Sequence, residues 1–412
     1  MGLNDIIFEK TNGGMGRPAA NEDIISGLIM SLEDGTITGA QLEAKGFEAV
    51  QKDEETLFYV AKLDYYEQLA TRYGISVVEE PEADTHLCTL NAIDYHVREF
   101  FRMSPAGVLY LAIRLDGDVE KDDIKQLQDY SGGLLRQVGI LTKTLGNLNS
   151  YQVACTGNDV DEKGLFDEHQ PLSVIMTYSG VNHAKLADLS SLVTENYSNV
   201  SVLVSCDLDS ELKKRIGIFS NYGCIGTALG AISKAAVHEC IAWVQKFPLG
   251  LKEPGFITGE LLKNVTQSEL ELINNNRYIF VRTHVGSADN YFNDSHTLDV
   301  PTSDYAYIEN VRTMDKATRG IRTNLLPYLN APLYVDALTG KLRPDMVAFL
   351  ETTAGRALEN MEQAGELSGY KVEINPNQNV LASSELEIVI KKVPVGVMRK
   401  ILVKIGYTTS IG

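Results

Sequence analysis

Three glycines in one short run, Gly223-Cys224-Ile225-Gly226-Thr227-Ala228-Leu229-Gly230, are the first residues whose spacing could do chemistry. Backbone amides at a glycine-rich turn opening a helix can gather a phosphate. The spacing is not G-x-G-x-x-G, and G-x-x-x-x-G-K-[ST] occurs nowhere in the chain. Ala231, Ser233, Ala235 and Ala236 continue the small residues at helical spacing, which favours close packing of a helix over phosphate binding. His238-Glu239-Cys240 lacks the second histidine one helical turn away, and zinc needs three or four convergent ligands. Asp116 with Asp118, and Asp207 with Asp209, could hold a cation, but acidic residues at strand ends serve mostly as turn formers, and neither pair follows the EF-hand loop. There is no G-x-S-x-G, and the other histidines, His86, His96, His284 and His296 among them, are scattered. No catalytic, cofactor-binding or metal-ligating residue is assigned, and the expectation is a protein that is not an enzyme and uses no cofactor.

Charge is more informative than any catalytic pattern. Residues 312–412 hold 13 Lys+Arg against 10 Asp+Glu, while the whole chain carries -18, so residues 1–311 sum to -21. A pI near 4.9 argues against nucleic acid as a general partner, because phosphate contact needs a clustered basic surface. A basic segment on an acidic chain can instead meet an acidic neighbour, and opposite fields speed and orient that encounter. Arg312, Lys316, Arg319 and Arg322 fall largely on one face of an expected helix over 312–326, with Asp315 the nearest acid. They form an expected docking ridge, joined by Arg343 and Arg356 near a second helix.

The elements that would position these residues are read from periodicity. A chain of 412 residues exceeds what one core usually serves. Residues 108–115, 173–178 and 200–205 read as buried strands, and 87–102, 121–136 and 184–194 as helices between them, so residues 21–280 are expected to be an α/β domain with a mostly parallel sheet. Residues 53–73 read as a charged helix, 223–244 as a long helix after the sheet, 247–255 as a linker, and 277–284 as a strand. A C-terminal α+β domain follows over 281–397. It should hold a strand over 304–311, two helices over 312–326 and 344–364, and antiparallel strands including 370–374 and 385–393. Two arms complete the chain. Leu3, Ile6, Ile7 and Phe8 form a strand-capable run within residues 1–20, followed by a glycine hinge at Gly13, Gly14 and Gly16. In residues 398–412, Ile401, Val403, Ile405 and Tyr407 alternate with Lys400, Leu402 and Lys404. A strand of that kind at a chain end must be paired or it invites aggregation. Cys88, Cys155, Cys206, Cys224 and Cys240 show no CxxC spacing and read as small buried hydrophobes in a reducing compartment. No apolar run is long enough to span a membrane.

Residues 301–412 resemble the C-terminal domain of contractile tail sheath proteins, in a divergent branch encoded by prophages. The resemblance is carried by Asp304-Tyr305-Ala306-Tyr307-Ile308-Glu309-Asn310-Val311-Arg312, then Asp315-Lys316-Ala317 and Leu325-Leu326-Pro327. It continues through Met361 to Gly365, Gly369-Tyr370-Lys371-Val372 and the Pro394-containing link to the basic end. It implies a subunit that stacks with copies of itself in rings around a tail tube, in a virion tail assembled in the bacterial cytoplasm. Further partners would be the tube protein, a baseplate and a tail terminator. It also implies that both arms add strands to neighbouring subunits and that a C-terminal-domain helix faces the tube. The alternatives are an α/β enzyme binding a nucleotide or small molecule at its strand ends, or another tail part such as a tube or baseplate subunit.

Overall fold

In the computed structural model, which describes residues 22–32, 37–77, 85–158, 162–183 and 185–408, a seven-stranded sheet organises the first two thirds of the chain. Its strands are β1 (Ile25–Ser31), β2 (Glu48–Lys52), β3 (Glu55–Leu63), β4 (Val108–Arg114), β5 (Gln137–Thr142), β6 (Ser173–Tyr178) and β7 (Val200–Val202), in the order β2-β3-β4-β1-β5-β6-β7. The run β4-β1-β5-β6-β7 is parallel, and β2 and β3 extend it antiparallel. Both faces are covered, which is why β5 and β6 are buried at every position. Successive residues point to opposite faces. Leu28, Met30, Leu111 and Ile113 therefore pack beneath helices Thr85–Met103 and Ile225–Lys234, while Ile29, Ala112, Val138 and Ile140 pack beneath helices Lys121–Tyr130 and Leu148–Thr156.

Two short antiparallel ladders lie outside this sheet: β8 (Ser205–Asp207) with β9 (Pro254–Phe256), and β10 (Val281–Thr283) with β11 (Asn290–Phe292). The last module packs helices Ile308–Leu325 and Pro344–Gln363 against each other and on the antiparallel pair β12 (Leu367–Glu373) and β13 (Val389–Pro394). Its apolar centre is small. Val237, Ala317, Leu358, Met361 and Leu367 form one cluster, and Leu342, Leu350 and Ile374 another. The α/β body and the α+β module thus match the architecture expected from the sequence.

Several local expectations give way. Residues 53–73 are not a helix: Asp53 and Glu54 sit at φ 52° and 70° and turn the hairpin between β2 and β3. Leu57, Phe58, Tyr59 and Val60 suit that pleated surface, with Phe58 and Val60 fully buried. The helix expected to 136 ends at Tyr130, and the chain turns through Gly132 and Gly133, both at positive φ, into β5. Residues 184–194 contain only the short turn Leu186–Asp188 rather than a helix. The helix expected over 223–244 stops at Lys234, and Ala235 is extended. Residues 247–255 are no linker, since Phe247, Leu249 and Leu251 are buried in the body's core. Residues 304–307 turn and the helix begins at Ile308, so no strand spans 304–311. The expected arm residues Leu3, Ile6, Ile7 and Phe8 lie outside the described residues. Among the described residues no single helix is long and apolar enough to cross a membrane.

Candidate assembly surface

Helix Ile308–Leu325 is the element on which the charged residues of the last module converge. Glu309, Arg312, Lys316 and Arg319 recur at three- and four-residue spacing and share a face. That face is turned inward, contrary to the exposed ridge expected from the sequence. Arg312 is 4% exposed and its guanidinium donates to the carbonyls of Ala235 (3.2 Å), the C-cap of helix Ile225–Lys234, and Ala236 (3.4 Å). Lys316 Nζ lies 2.7 Å from Asp23 Oδ2 and 2.6 Å from Glu366 Oε1, and Arg319 reaches Asp23 Oδ1 at 3.3 Å. Glu22 beside it pairs with the buried Arg136. The correction has a plain cause. The acids that neutralise this stripe come from residues 22–23 and 366, far away in sequence. Asp315, also buried, has its carboxyl pushed up to about 6 by burial, against the pull of Arg319, Lys392 and Arg312. Of the other expected docking cations, Arg322 is half-buried, Arg343 is exposed and pairs with Asp345 at 2.8 Å, and Arg356 is exposed.

The first turn of the same helix holds the start of the C-terminal tail. Arg399 Nε lies 2.9 and 3.1 Å from the two oxygens of Asp294, and its guanidinium also donates to Glu309 and, at 3.4 Å, to Ser295 Oγ. Its Cζ sits 3.4 Å from the centre of the Tyr307 ring, a stacked cation–π contact. Burial works against the Arg399 cation, but Asp294 and Glu309 outweigh it and hold the guanidinium above its ordinary value. Glu309, 2% exposed, also accepts from Ser295 Oγ at 2.5 Å, so removing Arg399 would leave a buried carboxylate short of its counter-charge.

Beyond this clamp residues 395–408 form no ladder with any of the described residues, and residues 400–408 are exposed throughout. Ile401, Leu402 and Val403 are 68–75% exposed, Ile405 is 95% exposed, and Tyr407 is completely open. Lys400 and Lys404 lie among them. Beside the base of the tail is a cavity of about 580 Å³, lined by Trp243, His284 and Phe292 on the body and by Val397, Met398 and Arg399 on the tail. Among the described residues the sheet β12–β13 is only two strands wide, so each strand has an edge that no described strand covers.

The residues that could have done other chemistry are occupied with structure. Gly226 and Gly230 let helix Ile225–Lys234 touch helix Thr85–Met103: a Cβ would stand 2.1 Å from the His96 carbonyl oxygen and 2.6 Å from that of Phe100. Asp207 accepts the amides of Asp209, Lys252 and Glu253 at 3.0–3.1 Å, and Asp118 accepts from Thr142, Lys143 and Thr144. Glu239 pairs with Lys246. All five cysteines are buried and none is in a disulfide, and burial pushes the Cys240 thiol up to about 12. Sequence reasoning missed the Arg399 clamp. Its only trace was an arginine at the edge of an apolar run, with partners roughly a hundred residues upstream.

Comparison with known proteins adds a frame to this geometry. Among curated proteins, none matches the sequence. Over its whole length the chain is similar in fold to a chain in the cryo-EM structure of the anti-feeding prophage (AFP) baseplate. The TM-score is 0.57 at 13% identity, covering 99% of both chains. It is similarly close to a chain of an extracellular contractile injection system, the PVC sheath complex in its contracted state. There the TM-score is 0.60 at 12% identity, covering 100% of this chain and 98% of that one. The DUF2586 N-terminal domain matches residues 161–296, and the DUF2586 C-terminal domain matches residues 304–412. The chain thus carries both domains of the DUF2586 family, in order, the second containing the charged helix, the β12–β13 hairpin and the exposed tail.

Proposed function

We propose that this protein is a structural subunit of a contractile injection system, and within it a sheath subunit that polymerises with copies of itself around a tail tube. The observation that carries the reading is the tail. Residues 400–408 follow the Arg399 clamp, expose Ile401, Leu402, Val403, Ile405 and Tyr407 beside Lys400 and Lys404, and add to no sheet among the described residues. Backbone groups and apolar side chains left open in this way are completed by pairing with another sheet edge. The free edges of β12 and β13 in a neighbouring copy are the receiving sites this reading assigns. End-to-end similarity to chains of a contracted sheath complex and of a baseplate supports membership of such a machine. The acids that might have served an enzyme are engaged in turns and ion pairs.

The burial of Arg312, Lys316 and Arg319 moves the proposed tube contact to the second helix, Pro344–Gln363, where Arg343, Phe349 and Arg356 are exposed. A baseplate subunit is the second reading, favoured by the similarity to the AFP baseplate chain. Electron microscopy of the purified chain at high concentration separates the two. Tubes of indefinite length support the sheath, closed rings that never stack support the baseplate subunit, and a strictly monomeric particle at every concentration rejects both.

A further inference from the structure

The first described residues and the base of the tail are fixed to the same helix. Asp23 is held by Lys316 and Arg319, and Arg399 is held by Glu309, and these three holding residues all lie on helix Ile308–Leu325. Seven to ten residues separate the two attachment points, about 10–15 Å along a helix. Arg312 stands between them on the same face. Its guanidinium is pinned to the carbonyls of Ala235 and Ala236, so it cannot swing toward one end alone. Burial draws the Arg312 cation below its ordinary value, and the carboxylates that oppose this are Asp23, from one attachment, then Glu309, from the other, with Glu366 and Asp315. Charges this far from solvent are poorly screened, so a change at either attachment is felt at Arg312. The row extends outward at both ends, to Glu22 with Arg136 and to Asp294 with Arg399.

The geometry points to a coupling device: the row Asp23–Lys316/Arg319–Arg312–Glu309–Arg399 ties the segment entering β1 to the segment leaving as the tail, so that loosening one attachment loosens the other. Arg312 is the positioning residue at its centre. The device is a property of the single chain and does not depend on the assembly reading. Its consequence there would be that load taken by the tail reaches the opposite end of the polypeptide through one helix rather than through the sheet.

Hydrogen exchange on the full-length chain, read by mass spectrometry, tests it. Arg399→Gln should speed exchange at residues 395–399, as any anchor loss would. It should also speed exchange by about tenfold at residues 22–26 and at the amide of Arg136, which donates to Ile25. Asp23→Asn should do the reverse, reaching residues 395–399. Acceleration confined to the substituted end in both variants overturns the coupling. If Arg399→Gln abolishes the cooperative melt, Asp294→Asn, which removes a carboxylate that holds Arg399 and leaves Glu309 its counter-charge, is read by the same criterion. Changes at residues 22–26 support the device and their absence rejects it.

Discussion

The α/β body and the C-terminal module solve the same problem to different degrees. The body closes itself: two continuous cores lie on either side of seven strands, and at Gly226 and Gly230 the space of a side chain is taken by backbone of the neighbouring helix. The module has two small clusters, a two-stranded sheet, and a run of exposed apolar side chains that includes Leu329, Tyr334 and Leu338 before it reaches the tail. Isolated two-stranded sheets are marginal in water. The contrast teaches that burial is divided along the chain: the body covers its own apolar surface, and the module leaves open surfaces that the proposed assembly would complete.

The sharpest way to break that contrast is to remove residues 400–412. If the tail supplies a strand to a neighbour, about four lost backbone bonds, at about 1 kcal/mol each, raise the concentration needed for polymerisation roughly 10³-fold. The melting temperature of the monomer should stay within about 1 °C of the intact chain, because residues 400–408 are exposed throughout. Sedimentation and calorimetry on the two proteins check both halves; a large drop in melting temperature would show that the tail belongs to the fold.

A smaller but complementary effect is expected from glycine substitutions. Gly226→Ala places a Cβ 2.1 Å from the His96 carbonyl oxygen and 2.8 Å from its Cα, so the two helices must separate. Overpacking of this kind costs about 3 kcal/mol, and the better helix propensity of alanine returns at most about 1, leaving a net loss of about 2 kcal/mol. Gly396→Ala and Gly406→Ala meet nothing within 4 Å and should change stability by less than about 0.5 kcal/mol. Denaturant titrations that rank the three variants equally would erase the distinction between body and tail.

The body should also be the acid-sensitive part. His96 is 1% exposed, neither ring nitrogen has a hydrogen-bond partner, and burial lowers it to about 3. Its folded value lies below its unfolded one, so between those values the unfolded chain binds the extra proton and stability falls as pH falls. At pH 5 the loss from this group is about 2 kcal/mol. His96→Leu should therefore lose about 2 kcal/mol less than the native chain between pH 7 and pH 5, and equal pH slopes would refute the assignment.

How much of this could be read beforehand depended on where each residue's partners lay. Residues 173–178 read correctly as a strand because an unbroken apolar run signals burial on both faces. Strand β1 escaped notice because Ser26, Gly27 and Ser31 interrupt its pattern, yet it is the middle of the sheet. The charges of 53–73 looked helical, whereas positive φ at two consecutive residues made a hairpin. The basic stripe was visible, but Asp23 lies 293 residues from Lys316, and no local periodicity reports a contact of that kind. The tail's alternation was legible from the start, and the clamp that aims it was not, because Arg399 acts through Asp294, Glu309 and Tyr307.

The finest test concerns charge on the tail. Lys400 and Lys404 are exposed, on a chain of net charge -18, so an acidic neighbouring copy is the surface they would meet. Exposed pairs contribute only about 0.2–1 kcal/mol each, and salt near 1 M shortens their reach to about 3 Å. Reversing both to glutamate should therefore weaken association several-fold at low ionic strength and hardly at all at high salt, with the melting temperature unmoved. The apolar residues beside them should behave oppositely: Ile401→Ser and Ile405→Ser weaken association at every salt concentration, since apolar burial does not depend on screening. If both pairs respond to salt alike, the tail is not meeting a strand edge through one apolar and one cationic face, and the division between a self-contained body and an open module would have to be redrawn at residue 399.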